Sequence, residues 1–273
     1  MKTSKIKLTV IEIVLWVISL VILIPFFMVI VNSLKDRTGS NLMNLALPEI
    51  VHWKNYLIVI KEGNLIRSFL NSFLIAVSSV FISVTCSSAV AYILARRPTR
   101  FNKGLYFYFL IGLVAPLNMV TVIKTLQIFH LINSYPGIIL LYSALLTPFS
   151  VFLFYGFINS VPQSLEESAV IDGATPLTVF SKIVFPLLKP VSVTVAVLNF
   201  MNAWNDFMIP LYVLNRTSKW PMTLAIYNFY GRRESDWHLV FADIVLTILP
   251  VLIIYIMGQK YIVSGLTAGS VKG

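Results

Sequence analysis

Two carboxylates, Asp206 and Asp243, sit inside long apolar stretches, and a pair of that kind could do acid–base chemistry. Asp206 ends a polar series. Asn199, Asn202 and Asp206 fall at i, i+3 and i+7, on one face of a helix, with Trp204 and Asn205 beside them. Polar groups at membrane depth face a bundle interior or a wet cavity. Amides and a carboxylate suit hydroxyl groups, and the Trp204 ring offers a flat stacking face, so the series could line a solute path. The same groups also serve as interhelical hydrogen bonds worth about 0.6 kcal/mol each, and that packing role is the preferred reading. Asp243 is either structural or a neighbour of Asp206. The remaining reactive types are sparse. Cys86 is the one cysteine, and His52, His130 and His238 are isolated, so no intrachain disulfide and no metal-ligand spacing arises. There is no G-x-S-x-G elbow, no H-E-x-x-H pair and no G-x-x-x-x-G-K-[ST] phosphate cradle.

A second constellation lies between two apolar runs. Over 160–190, Ser164-Leu165-Glu166-Glu167 fits a capping box with Ser164 at the N-cap and Glu167 reaching back. A short helix to Ile171 follows, and Asp172-Gly173 breaks it, glycine taking a left-handed cap without steric cost. Thr175-Pro176 fits the N-cap and first turn of a second amphipathic helix running to Phe185 and ended by Pro186. Leu165, Ala169, Leu177, Phe180 and Ile183 are then apolar residues on a water-facing loop. Either they fold back on the bundle or they enter a partner's groove.

These segments need elements to hold them. The chain is 58% hydrophobic and 12% charged, with a mean hydropathy of +0.84. A soluble domain carries about 25% charged residues, so lipid is the expected solvent and a soluble enzyme is excluded. The net charge of +10 is spread between apolar runs, with no aromatic-interleaved basic patch, so nucleic acid is not expected. Six runs, at 11–32, 68–95, 105–123, 137–159, 190–214 and 239–261, each approach the ~20 residues needed to cross the hydrocarbon core. The sequence therefore predicts an all-α membrane protein of six transmembrane helices in a single domain, 1–273. The charge-free stretch 13–34 is too long for a signal-peptide core and has no A-x-A-like site after it, so it is a retained span. Arg96, Arg97, Arg100 and Lys103 cluster between the second and third spans; with Lys2, Lys5 and Lys7 they predict cytoplasmic N- and C-termini. Other basic residues, such as Lys35, Arg37, Arg232 and Arg233, are dispersed or accompanied by Asp36, Glu234 and Asp236. The loop 160–190 is then cytoplasmic, while 33–66, with Trp53 and Tyr56 near the headgroups, and 215–238, with Trp220 and Trp237, are external. Ser78, Ser79, Ser83, Cys86, Ser87 and Ala89 make the second span a small-residue surface for close helix approach.

The loop resembles the EAA loop of the permease subunits of ABC importers, loosely E-A-A-x-x-D-G-A followed by a phenylalanine, an isoleucine and two prolines. Glu167, Ala169, Asp172, Gly173, Ala174, Phe180, Ile183, Pro186 and Pro190 match, and Ser168 replaces the usual alanine. Trp53-Lys54-Asn55-Tyr56, Asn71-Ser72, Ala91 to Arg96, Ala203 to Phe207 and the tail Gly265 to Gly273 resemble the maltose-type carbohydrate permeases. Lys124 departs from a common proline and leaves the path after the third span open. The resemblance implies a type I ABC importer permease-like bundle in a bacterial inner membrane, and a subunit that couples ATPase closure to alternating access for a sugar-like solute. It also implies a second homologous permease, an ABC ATPase dimer that holds ATP and Mg, and an extracytoplasmic solute-binding protein. Glu166, Glu167, Ala169, Asp172, Gly173, Ala174 and Phe180 would dock the ATPase, and the matching tail would add contacts to it. Two other classes stay open. An ion-coupled secondary transporter would use Asp206 and Asp243 without an ATPase. An intramembrane aspartyl enzyme would need the same pair, but Trp204 to Phe207 and Ala242 to Ile244 do not resemble known motifs of that class.

Overall fold

The computed structural model describes residues 5–230 and 235–268, with side chains over 7–230 and 235–261. In chain order the helices are α1 (Lys5–Ser33), α2 (Arg37–Asn41), α3 (Lys54–Glu62), α4 (Leu65–Arg96), α5 (Arg100–Val114), α6 (Met119–Ile128) and α7 (Tyr135–Ile158). They continue with α8 (Ser164–Ile171), α9 (Pro176–Leu187), α10 (Lys189–Asn205), α11 (Met208–Val213), α12 (Met222–Ala225) and α13 (Trp237–Ala268). No strand is present among the described residues, only an isolated bridge between Tyr230 and Ser235. Lys2, Arg232, Arg233, Glu234 and the tail beyond Ala268 lie outside the described residues.

Among the described residues four helices are long and apolar enough to cross a membrane, or up to six if each of two bent pairs counts as one span. The runs at 11–32, 68–95, 137–159 and 239–261 became α1, α4, α7 and α13. The other two differ from expectation. The run 105–123 is not one helix: α5 stops at Val114 and α6 leaves at 117°. Pro116 has no N–H to donate and its ring pushes Ala115 out of the helical region, to ψ 127°. Asn118 then restarts the chain, its side chain accepting from Thr121 N–H at 3.2 Å. Lys124 sits exposed on α6. The run 190–214 ends as a helix at Asn205, because Asp206 turns extended at ψ 132° and opens α11 instead. At its other end, α10 joins α9 at a 74° bend.

The chain divides into two compact units. The first comprises 1–66 and 225–249. Here α1 presents apolar side chains that no other part of the unit covers, including Trp16 at 70% exposed. Beyond its end a polar knot forms. Lys35 is buried, its Nζ donating to Asn32 Oδ1 at 3.0 Å and Asn44 Oδ1 at 2.7 Å, and that burial pulls its pKa below the ordinary lysine value. Asn55 Nδ2 donates to the Ser33 and Lys35 carbonyls at 2.8 and 2.9 Å.

The second unit comprises 67–224 and 250–273. On α4, Ser79, Ser83 and Ser87 recur at i, i+4 and i+8 and are all fully buried. Their hydroxyls meet α7 at Ile139 O (3.2 Å), Ser150 Oγ (3.1 Å) and Thr147 O (3.4 Å), so the small-residue face of the second span is helix packing. Gly258 brings α13 onto α10 just as closely, since a Cβ there would stand 2.6 Å from a Val197 methyl.

Candidate functional site

The loop 160–190 is folded by local rules at its centre. Gly173 has φ +81°. Its N–H donates to Val170 O at 3.0 Å and the Ala174 N–H to Ala169 O at 2.9 Å, the paired bonds of a glycine helix stop. Thr175 Oγ1 accepts from Thr178 N–H at 3.3 Å, with Pro176 in the first turn. The capping box does not form. α8 starts from Gln163, whose backbone carbonyl accepts from the Glu166 and Glu167 N–H groups at 2.9 and 3.0 Å, and no side chain caps it. Nor does Pro186 end the second helix. A wide π-helical turn over Val179–Val184 absorbs the strain, and the helix continues to Leu187.

Glu166 explains the lost box. It is buried, and its carboxylate accepts from Arg96 Nε at 2.7 Å and Tyr92 OH at 2.8 Å. Arg96 Nη2 also stands 2.7 Å from the same carboxylate and donates to Val161 O at 2.9 Å. With both ion-pair side chains 11% exposed, this joint outweighs a cap on a surface helix. It fixes which way α8 faces. Ala169, Val179 and Val184 are buried with Ala91, Leu94, Phe154 and Leu188, and Ala174, Phe180 and Ile183 pack on that core. The Phe180 ring lies 5.3 Å from that of Tyr92. The outer side carries Glu167, Asp172, Leu165, Val170, Ile171 at 85% and Leu177 at 74% exposed. Of the loop's apolar residues, Ala169, Phe180 and Ile183 thus fold back on the bundle, while Leu165 and Leu177 stay exposed. Tyr92 and Arg96 were not among the expected site residues. The hint was an arginine closing an apolar run, but its acidic partner is 70 positions away.

The polar series is also divided. Asn199 is fully buried, with Nδ2 donating to Ser150 Oγ at 2.9 Å and Ser83 Oγ at 3.2 Å. It ties α4, α7 and α10 together, as the packing reading expects. Asn199, Asn202, Asn205 and Asp206 all border a concavity of about 700 Å³ with Tyr142 and Leu145. Trp204 does not. Its ring is 1% exposed, stacked on Phe200 at 5.2 Å and edge-on to Phe69 at 5.8 Å, so it is packing rather than a platform for a solute. Asp206 is not on the helical face of Asn199 and Asn202, because α10 has ended. It accepts from Tyr142 OH at 2.9 Å and from the Met208 and Ile209 N–H groups at 2.9 and 3.4 Å, capping α11. A carboxylate so engaged is a fixed acceptor. Asp243, 1% exposed, belongs to the other unit. Among the described side chains no group of three or more His, Cys, Asp or Glu could hold a metal.

The profile of a family described as binding-protein-dependent transport system inner membrane component matches residues 83–267. The chain belongs to this family. The permease is 33% identical, over 94% of each chain, to a probable starch degradation products transport system permease protein of Thermoanaerobacterium thermosulfurigenes. It is 35% identical to a multiple sugar-binding transport system permease protein of Streptococcus mutans, over 93% of each. Its fold matches a chain of a bacterial ABC transporter involved in import of the acidic polysaccharide alginate. That match has a TM-score of 0.84 at 22% identity and covers 96% of this permease and 98% of that chain. It is thus a multi-pass membrane protein with the fold of an ABC importer permease. Family membership removes the secondary-transporter and aspartyl-enzyme readings.

Proposed function

We propose that this permease is a membrane-spanning subunit of an ATP-driven importer for a sugar or sugar-like solute. It works with a second homologous permease, a separate ABC ATPase dimer holding ATP and Mg, and an extracytoplasmic solute-binding protein. The observation that carries the reading is the two-sided loop 160–190. One side is tied into the bundle through Glu166 and Phe180. The other holds Ile171 and Leu177 bare beside Glu167 and Asp172. Apolar side chains that exposed, on a short helix pair next to a membrane span, suit a soluble partner's groove. With no phosphate cradle in its sequence, this chain transmits hydrolysis rather than performing it. Relatives whose names specify starch degradation products and multiple sugars support a carbohydrate cargo. The concavity beside Asn202, Asn205 and Asp206 offers amide and carboxylate groups to its hydroxyls.

Gentle purification followed by mass spectrometry tests the assembly. We expect a second permease and an ATPase to co-purify, and a homogeneous preparation of this chain to hydrolyse no ATP. Sustained hydrolysis by the chain alone refutes the reading. Orientation is tested by single-cysteine labelling at Thr99, Pro136 and Ser218 of intact cells. The two latter sites should react from outside, and reaction at Thr99 would reverse the topology.

A further inference from the structure

Among the spans, α4 differs from every other. α1, α7 and α13 each contain an internal proline, Pro25, Pro148 and Pro250, and the remaining two spans are bent pairs. α4 runs 32 residues as one unbroken helix with neither proline nor glycine. Within the second unit it is clamped at both ends. At one end Tyr92 and Arg96 hold the Glu166 carboxylate, and Tyr92 packs on Phe180, so both helices of the loop 160–190 attach to its last turn. At the other end Asn71 is buried with its side-chain amide engaged on both sides. Nδ2 donates to Ser218 O at 3.1 Å and Trp220 O at 3.0 Å, and Oδ1 accepts from Tyr135 OH at 2.8 Å. Next to it, Ser72 Oγ accepts from Met222 N–H at 2.8 Å. The two clamps are separated by on the order of 38 Å of helix. Between them Ser79, Ser83 and Ser87 key the rod to α7.

We infer that α4 is the element that carries the state of the ATPase-docking loop across the membrane to the segment 215–222, with Arg96, Tyr92, Asn71 and Ser72 as its positioning residues. This rests on the functional reading above. Any movement of α8 must either break a buried ion pair or take the end of α4 with it. The far end of α4 cannot move without moving the backbone at Ser218, Trp220 and Met222. Coupling of that kind is a two-state property of a packed element, equal in both directions.

The test uses the assembled transporter, purified with its co-purifying subunits, carrying Cys86→Ser and Ser218→Cys. A membrane-impermeant maleimide reads the labelling rate at 218 with and without Mg-ATP and vanadate, which traps the ATPase dimer. We expect trapping to change the rate by about fivefold or more, and Asn71→Leu to bring that ratio to near unity while the trapped nucleotide is unchanged. In Arg96→Gln complexes that still hold the parental amount of trapped nucleotide the ratio should also come to near unity, and Arg96→Lys, which keeps the charge without the fork, should restore part of it. If Asn71→Leu does not insert, Ser72→Ala carries the same test. A clamp that were only structural would shift both labelling rates together and leave their ratio intact, and that result overturns the inference. A parent complex without an ATPase would instead refute the functional reading, so the two failures are distinct.

Discussion

The loop 160–190 and the polar stretch 199–206 both mix polar with apolar residues, and the structure treats them in opposite ways. In the loop, Glu166 is drawn inward and the groups left facing out include bare Ile171 and Leu177. In the stretch, the large apolar group, Trp204, is drawn inward, and the polar groups bordering the concavity are Asn199, Asn202, Asn205 and Asp206. An apolar surface standing in water recruits a partner protein, whereas a polar surface recessed in a bundle accommodates a hydrated solute. The residue type that meets the partner therefore cannot be chosen by polarity alone. It follows from which side chains the bundle has already used.

The largest effect that could break this contrast is removal of the Arg96–Glu166 joint. Arg96→Ala leaves a buried carboxylate unpaired and should cost on the order of 3 kcal/mol. Thermal unfolding in detergent should show it, together with loss of the ATPase in a pull-down. An unshifted unfolding temperature would mean that the joint does not orient the loop. Asn199→Leu comes next. It unties Ser83 and Ser150 and should cost about 1–2 kcal/mol, lowering stability while leaving the apparent transport constant for solute unchanged. Gly173→Val should cost about 1 kcal/mol or more for the left-handed backbone at φ +81°. Nothing stands within 4 Å of the added Cβ, so the penalty is conformational and should appear as weakened coupling with normal insertion. Asp206→Asn should be the mildest. Asparagine keeps one oxygen to accept from the α11 N–H groups while its Nδ2 can donate to the Tyr142 hydroxyl, so saturation uptake kinetics should change less than for any loop variant. A rise of orders of magnitude in the apparent substrate constant, with assembly intact, would move the solute site onto Asp206.

Much of this was legible because it is local. Apolar run length placed α1, α4, α7 and α13, and the Asp172-Gly173 and Thr175-Pro176 pairs located the turn within the loop. The misreadings have non-local causes or overlooked local ones. Pro116 was a readable helix breaker, hidden by the continuous hydropathy around it. Ser164 had the right spacing for a capping box with Glu167, but α8 is oriented by the neighbouring Glu166, whose partners Arg96 and Tyr92 lie about 70 positions earlier in the chain. The burial of Trp204 depends on Phe69 of α4, and no pattern around residue 204 reports that.

The central claim is that the outer face of the loop docks a separate ATPase. The direct test is Ile171→Ser with Leu177→Ser, both highly exposed and therefore nearly neutral for the fold. The measurement is the ATPase-to-permease ratio in the purified complex, alongside the unfolding temperature of the permease. The account predicts an unfolding temperature unchanged and the ATPase lost. A double variant that retains the ATPase at the parental ratio would contradict it.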